Sequence, residues 1–318
     1  MTKIEIKKHW FSLFLGLILF LGAIWFVSEE FNQLNIQNSI YSAGLGLAFS
    51  FFLFLIQGLE LLLLLKKRNV LLEKKDTVTL PFSMNLWGHF IPVQGGFLYF
   101  LTFIKSKYGV SVFSLTGAYF WLFFLGLSVD GTMGLMLLVR FQASWLLILW
   151  LMGMACSVFV LHGLASMNHF KDIEAGPGWK GKIIQRIQMA LEGFSQFKAA
   201  DYLRFAGISA LLTALTSLWG WQISKEFGFG IDLAGVFYAT VLMRIGLLLK
   251  ITPGNLGVLQ LGSGAVFTAL GYSASVGIFI SVWQQASMLL ISIPIGLAGT
   301  WLNRHQFSWK SLFSTTRP

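Results

Sequence analysis

ITPGNLGVLQ, residues Ile251–Gln260, separates two apolar runs, VLMRIGLLL before it and AVFTALG after it. Proline removes a helix hydrogen bond, and glycine costs about 1 kcal/mol relative to alanine inside a helix. Asparagine is expensive to bury unless its amide is bonded. Together at the centre of an apolar stretch they describe a helix that breaks. A broken helix frees N–H and C=O groups that hydrocarbon cannot satisfy, so it survives only when buried in protein or facing a wet cavity. The reading is therefore backbone that lines a polar cavity. The alternative is a kinked helix whose freed groups bond to nearby Ser and Thr.

The rest of the chain supplies the apolar medium. Of its 318 residues 56% are hydrophobic, 16% aromatic and 11% charged, against about 25% charged in soluble domains. The charges cluster between long apolar runs. This is the pattern of an all-α, polytopic integral membrane helical bundle, read as one transmembrane domain over 1–318. The net charge of +10 reads as Lys and Arg held on the cytoplasmic side. No basic stretch forms a polar domain of its own, which argues against nucleic acid as a partner. The lone Cys156 allows no internal disulfide.

A span needs about 20 apolar residues, and the candidates follow in order. Phe11–Val27 reads as an uncleaved first span, because no small-residue cleavage site follows it. SEEFNQLNIQNS is acidic and faces outward. Tyr41–Leu65 then lands on the basic loop KKRNVLLEKK. An interrupted segment at 85–104 precedes Val112–Val139 and Ala143–Leu161. A basic connecting loop at 162–202, cytoplasmic by charge, leads to Leu203–Ile223 and Leu233–Leu249. The second interrupted segment, 251–270, is followed by Ala274–Trp301. The count is seven or eight. Eight, with Leu256–Leu270 crossing, places the basic NRHQFSWK and hence the C-terminus on the same cytoplasmic side as the N-terminus. The expected location is the cell inner (plasma) membrane.

The two interrupted segments echo each other. Aligned on Pro92 and Pro253, IPVQGGFLYFL matches TPGNLGVLQLG with Gly96 on Gly257 and Leu98 on Leu259. The halves 41–161 and 203–301 then read as an internal repeat with two Gly/Pro-interrupted re-entrant segments, which is a pointer to a transporter binding site. PGNLGVLQ also resembles the Pro-Gly-Gly-x-Gly-x-x-Glu motif of the lysylphosphatidylglycerol synthase transmembrane family, a flippase-like group, and PVQGGF resembles that family's earlier Pro-Gly-x-x-Gly-Glu motif. The resemblance runs from about Phe11 to Trp301. It implies a membrane bundle with two re-entrant elements that moves a phospholipid, glycolipid or isoprenoid-linked lipid between leaflets. Asn255 stands where a second Gly is usual, Gln260 where Glu is usual, and Phe97 in place of the acid. These departures remove charge and point to a neutral or weakly polar headgroup.

The candidate substrate-binding residues are Pro92, Gln94, Gly95, Gly96, Arg244, Pro253, Gly254, Asn255, Gly257, Gln260 and Gln284. Ionisable groups inside a membrane are functional candidates by default. Glu60 and Arg244 sit at matching depths and form a candidate ion pair, with Arg244 also suited to a lipid phosphate. Asp130 lies mid-span with no partner near it in sequence. Gln285 reads as cavity lining or interhelical glue, and His89 as a satisfied polar residue. There is no Walker motif, no GxSxG, no hydrolytic carboxylate pair and no His or Cys cluster at ligand spacing. No catalytic residue, metal or cofactor is expected, and the chain reads as a carrier more than an enzyme. The expected partners are a membrane lipid as substrate and the bilayer. The competing reading is a membrane enzyme or accessory subunit working with envelope-lipid biosynthesis proteins.

Overall fold

The computed structural model describes residues 18–25, 36–91, 95–135, 181, 183–185, 188–189, 197–246 and 252–305. All regular structure among them is helical. In chain order, α1 is Ile36–Lys66, α2 Lys74–Phe90, α3 Gly95–Tyr108, α4 Val112–Leu135, α5 Ala199–Glu226 and α6 Leu233–Gly246. A 3-10 turn at Pro253–Asn255 leads into α7, Val258–Ala269, and α8, Ala274–Leu302. A further helical stretch covers 18–25.

Among the described residues, four helices are long and apolar enough to cross a membrane: α1 over Ile40–Lys66, α4 over Val112–Met133, α5 over Ala200–Glu226, and α8. Only 33% of the most apolar window of α1 and of α4 is buried inside the protein, which suits helices with a face towards lipid. The exposed side chains agree. Leu290, Ile293, Leu297 and Trp301 recur along one face of α8 at the three- and four-residue spacing of a helix stripe. Among the spans expected from sequence, 11–27 is described only over 18–25, and 143–161 lies outside the described residues, as does most of the 162–202 loop.

The other helices are short and pair into two hairpins. In the first, α2 and α3 run antiparallel. The Glu73 N–H, just before α2, donates to Tyr108 Oη at 3.2 Å, while near the other end Gly96 packs so closely on Met84 that an added Cβ would lie 2.1 Å from its carbonyl oxygen. In the second, α6 and α7 run antiparallel, with Gly235 beside the Tyr272 ring and Met243 beside Gly262. At 1.5 Å per residue, the 12 residues of α7 rise about 18 Å, well short of the ~30 Å hydrocarbon core. The chain turns at Pro253–Gly257, and α7 goes back along α6 towards the end from which α6 started.

The two hairpins open at opposite ends. Lys66, Lys67, Arg68, Lys74, Lys75, Lys105, Lys107, Lys198 and Arg304 all flank helix ends that meet at one end of the bundle. Arg68 donates to Ser114, Lys67 pairs with Asp201 at 2.7 Å, and Lys107 pairs with Asp76 at 2.6 Å. At the other end the only charged residues among those described are Lys225, Glu226 and Asp232.

α8 is the mast on which both hairpins lean. Its C-terminal half packs α2: Ser83 donates to the Gly296 carbonyl at 3.0 Å, Asn85 to Ser292 at 2.8 Å, and Trp87 Nε1 to Thr300 at 3.1 Å. Its N-terminal half packs α7, where Ser263 donates to the Gly277 carbonyl at 2.8 Å. Small residues permit this closeness. An added Cβ at Gly296 would lie 2.9 Å from the Phe82 carbonyl. Such small-residue contacts, with hydrogen bonds across them, are how helices associate where lipid removes the hydrophobic drive. Pro81 shows the same economy. It denies the Thr77 carbonyl its helical partner, and Gly58 of α1 packs flush against that oxygen.

Two large apolar cores result among the described residues, with a small third cluster of Leu127, Tyr238 and Val241 joining α4 and α6. One, built round Leu64, Phe100, Phe103, Ile104 and Trp121, ties α1, α2, α3 and α4 at the basic end. The other, round Trp219, Ile223, Val236, Phe267 and Phe279, ties α5, α6, α7 and α8 at the other.

Candidate functional site

Between those cores lies a cavity of about 490 Å³, walled by α1, α2, α4, α5, α6, α7 and α8. Most of its wall is apolar, with Leu the commonest residue. Polar groups reach it from Gln57 and Glu60 of α1, Asn85 of α2, Thr216 of α5, Arg244 of α6 and Gln284 of α8.

Arg244 on its wall belongs to an ion pair that neighbours in sequence do not announce. Arg244 Nη1 lies 3.2 Å from Asp130 Oδ2. The other carboxylate oxygen, Oδ1, accepts from the hydroxyl of Thr213, which is midway along α5. Asp130 is fully buried. The guanidinium is close enough to neutralise it, yet its N–H bonds are not aimed at Oδ2, which has no hydrogen-bond partner. Arg244 therefore spends its charge on Asp130, and its donors bond to no other described residue at the cavity wall.

The expected pair between Glu60 and Arg244 is replaced by this one. Arg244 acts on Glu60 electrostatically, but its contact partner is Asp130. The reason is geometry: α4 and α6 pack side by side, while α1 faces α6 across the cavity. Glu60 itself makes no ion pair or hydrogen bond with any described residue. It is closely surrounded by protein, yet its side chain stays accessible from the cavity.

The broken stretch at residues 252–260 sits elsewhere, at the junction of the two hairpins. Gly254 and Asn255 both have left-handed backbone, φ 58° and φ 56°, and Gly257 has φ 78°. The Gly257 N–H donates to Gln260 Oε1 at 2.7 Å, and Gln260 Nε2 donates to Gln285 Oε1. Gln285 Nε2 donates to the Gly254 carbonyl at 2.7 Å and lies 3.2 Å from His89 Nε2. That contact makes His89 Nε2 an acceptor, so the ring proton sits on Nδ1 and is donated to the Asn85 carbonyl at 2.8 Å. The freed backbone is thus satisfied by amides, with Gln260 and Gln285 wholly enclosed. Glycine is required by contact as well as by φ. A Cβ on Gly254 would lie 2.3 Å from His89, and one on Gly257 would lie 2.0 Å from Leu19.

Of the residues singled out from sequence, Arg244 and Gln284 line the cavity. Gly254, Asn255, Gly257 and Gln260 form the junction, and Pro253 opens its 3-10 turn. Gly95 and Gly96 serve the close approach of α3 to α2. Pro92 and Gln94 lie outside the described residues. Sequence reading passed over Asp76 because it sits in a run of charges, KKRNVLLEKKD, that reads as solvated. It is fully buried, and it accepts from Lys107, Tyr108 and Asn303, tying α2, α3 and α8 together. Burial, reinforced by the Asp76 bond, pushes the Tyr108 hydroxyl up to about 12.

No family model matches the chain, and neither does any curated protein or solved structure.

Proposed function

We propose that this chain is a multi-pass protein of the cell inner membrane that carries a lipid between leaflets, with the headgroup in the central cavity. The observation that supports this most directly is that cavity. An apolar wall suits acyl or isoprenoid chain, and Arg244, whose donors bond to no other described residue, suits the oxygens of a phosphate. Membrane interiors rarely hold such groups except along a substrate path.

The two hairpins support the reading as well. Each consists of half-length helices, each is open at one end of the bundle, and their tips meet at His89 and Gly254. In a bilayer they would be re-entrant elements entering from opposite faces, as the sequence echo and the family resemblance both suggest. With the basic end cytoplasmic, α2–α3 would enter from the cytoplasm and α6–α7 from outside. Rocking of one hairpin against the other would then expose the cavity to each side in turn.

The test is reconstitution. The purified chain in vesicles with a fluorescent phospholipid confined to one leaflet should speed its exchange, and Arg244→Gln should abolish the gain without loss of folded protein. Wild-type vesicles no faster than empty ones, across phosphatidylglycerol, phosphatidylethanolamine and isoprenoid-phosphate probes, would remove the reading.

A further inference from the structure

We infer that Glu60 is an exchange site that holds either a proton or the cationic group of a bound ligand, so that loading the cavity displaces a proton. This rests on the lipid-carrier reading only where it concerns transport, for which it supplies an energy source.

The argument begins with charge balance. One cation, Arg244, shares the cavity region with two carboxylates, Asp130 and Glu60. Asp130 is fully buried and takes both the guanidinium and the Thr213 hydroxyl. The excess negative charge therefore falls on Glu60. Among the described residues, nothing else around Glu60 can cancel it. α4 brings Tyr119, a neutral phenol at ordinary pH, and α2 brings Asn85. α5, α7 and α8 add only uncharged side chains to the wall. An uncompensated carboxylate in an apolar enclosure is strongly disfavoured, so the empty cavity binds one positive charge.

Two carriers of that charge fit. A proton on Glu60 needs no further partner. A ligand ammonium needs the ionised carboxylate. The two are mutually exclusive, and the step balances: the protonated acid meets a ligand ammonium, the O–H bond breaks, the carboxylate pairs with the ammonium, and the proton leaves to water. Arg244 lies across the same cavity with N–H donors that bond to no other described residue, which selects ligands carrying an oxyanion beside the cation. Lipid moving one way would thus be exchanged for a proton moving the other.

Direct proton counting tests this without any transport. The purified chain, in uncharged maltoside micelles and a weakly buffered, mildly acidic solution containing a pH dye, is mixed with decylammonium. The expected release approaches one proton per chain in the wild type and vanishes in Glu60→Gln, while decanol releases none. The infrared carbonyl band of a protonated buried carboxyl should be present in the empty wild type and should fall on adding decylammonium. Undiminished release in Glu60→Gln, equal release by decanol, or a wild-type band that decylammonium does not change would overturn the inference. Wild-type chain that releases its proton yet moves no lipid in vesicles would retain the exchange site and lose only the carrier reading.

Discussion

At Gly257 two constraints coincide, a φ of 78° and a neighbour, Leu19, 2.0 Å from where a Cβ would stand. Gly109 has nearly the same φ, 70°, with nothing within 4 Å. Backbone strain alone is worth about 1–2 kcal/mol for a non-glycine residue there. Gly109→Ala should cost about that much. Gly257→Ala should cost clearly more, visible as a lower thermal midpoint in detergent, because the 18–25 stretch must also move. Equal midpoints would mean that Leu19 does not pack against the turn. The buried charges make a second comparison. Arg244→Gln strands Asp130 in the interior, and breaking a buried pair in this way costs about 3–5 kcal/mol. Asp130→Asn should cost less, since Glu60 faces the same guanidinium and can lose its proton to replace the missing charge. Thermal denaturation of the two single variants checks the order.

The elements show the same economy one scale up. The open end of the α2–α3 hairpin is closed by Asp76, Lys107, Tyr108 and Glu73, outside the apolar spans. Tyr108 holds its proton up to about 12 against an ordinary 10.0. Lys107 is also raised from 10.5: burial pulls it down, but its bonds to Asp76 and Glu73 outweigh that. In both cases the folded state keeps a proton that the unfolded chain gives up. Their stabilisation is therefore whole below about pH 10 and is lost as pH rises towards 12. Glu73 has the opposite sense. Its bonds to Lys107 and Lys75 lower it from 4.5, so its share is present above that value and fades as pH falls. Unfolding of the wild type should thus become easier between pH 10 and 12, and Tyr108→Phe should make that loss shallower. An unchanged alkaline limb would show that Tyr108 is not tied to Asp76.

Across the whole molecule, charge is sorted by end. The basic clusters gather where α1 ends, α2 begins and α8 ends, while the far end carries Lys225, Glu226 and Asp232. In a Cys156→Ala background, Lys74→Cys should resist a membrane-impermeant thiol reagent in intact cells and Lys225→Cys should react. The reverse pattern would invert the orientation. Tyr272→Cys should react from the same side as Lys225→Cys if α6–α7 returns to the end it left, and from the opposite side if that segment crosses.

The sequence by itself determined the medium and the breaks. Apolar runs such as Tyr41–Leu65 and Ala274–Trp301 are helices because lipid leaves the backbone no other partner, and PGNLG interrupts one because proline and three positive-φ positions cannot continue it. It did not determine what those breaks face. Glycine permits a tight turn equally well beside a cavity or beside another helix, and only the packing of α2 and α8 brought His89 and Gln285 onto Gly254. The charges were legible as candidates but not as partners. Glu60, Asp130 and Arg244 lie on three helices far apart in sequence, and local spacing carries no record of which two will touch. That depended on α4 and α6 lying side by side with α1 across the gap, a choice made by the long-range packing of whole helices.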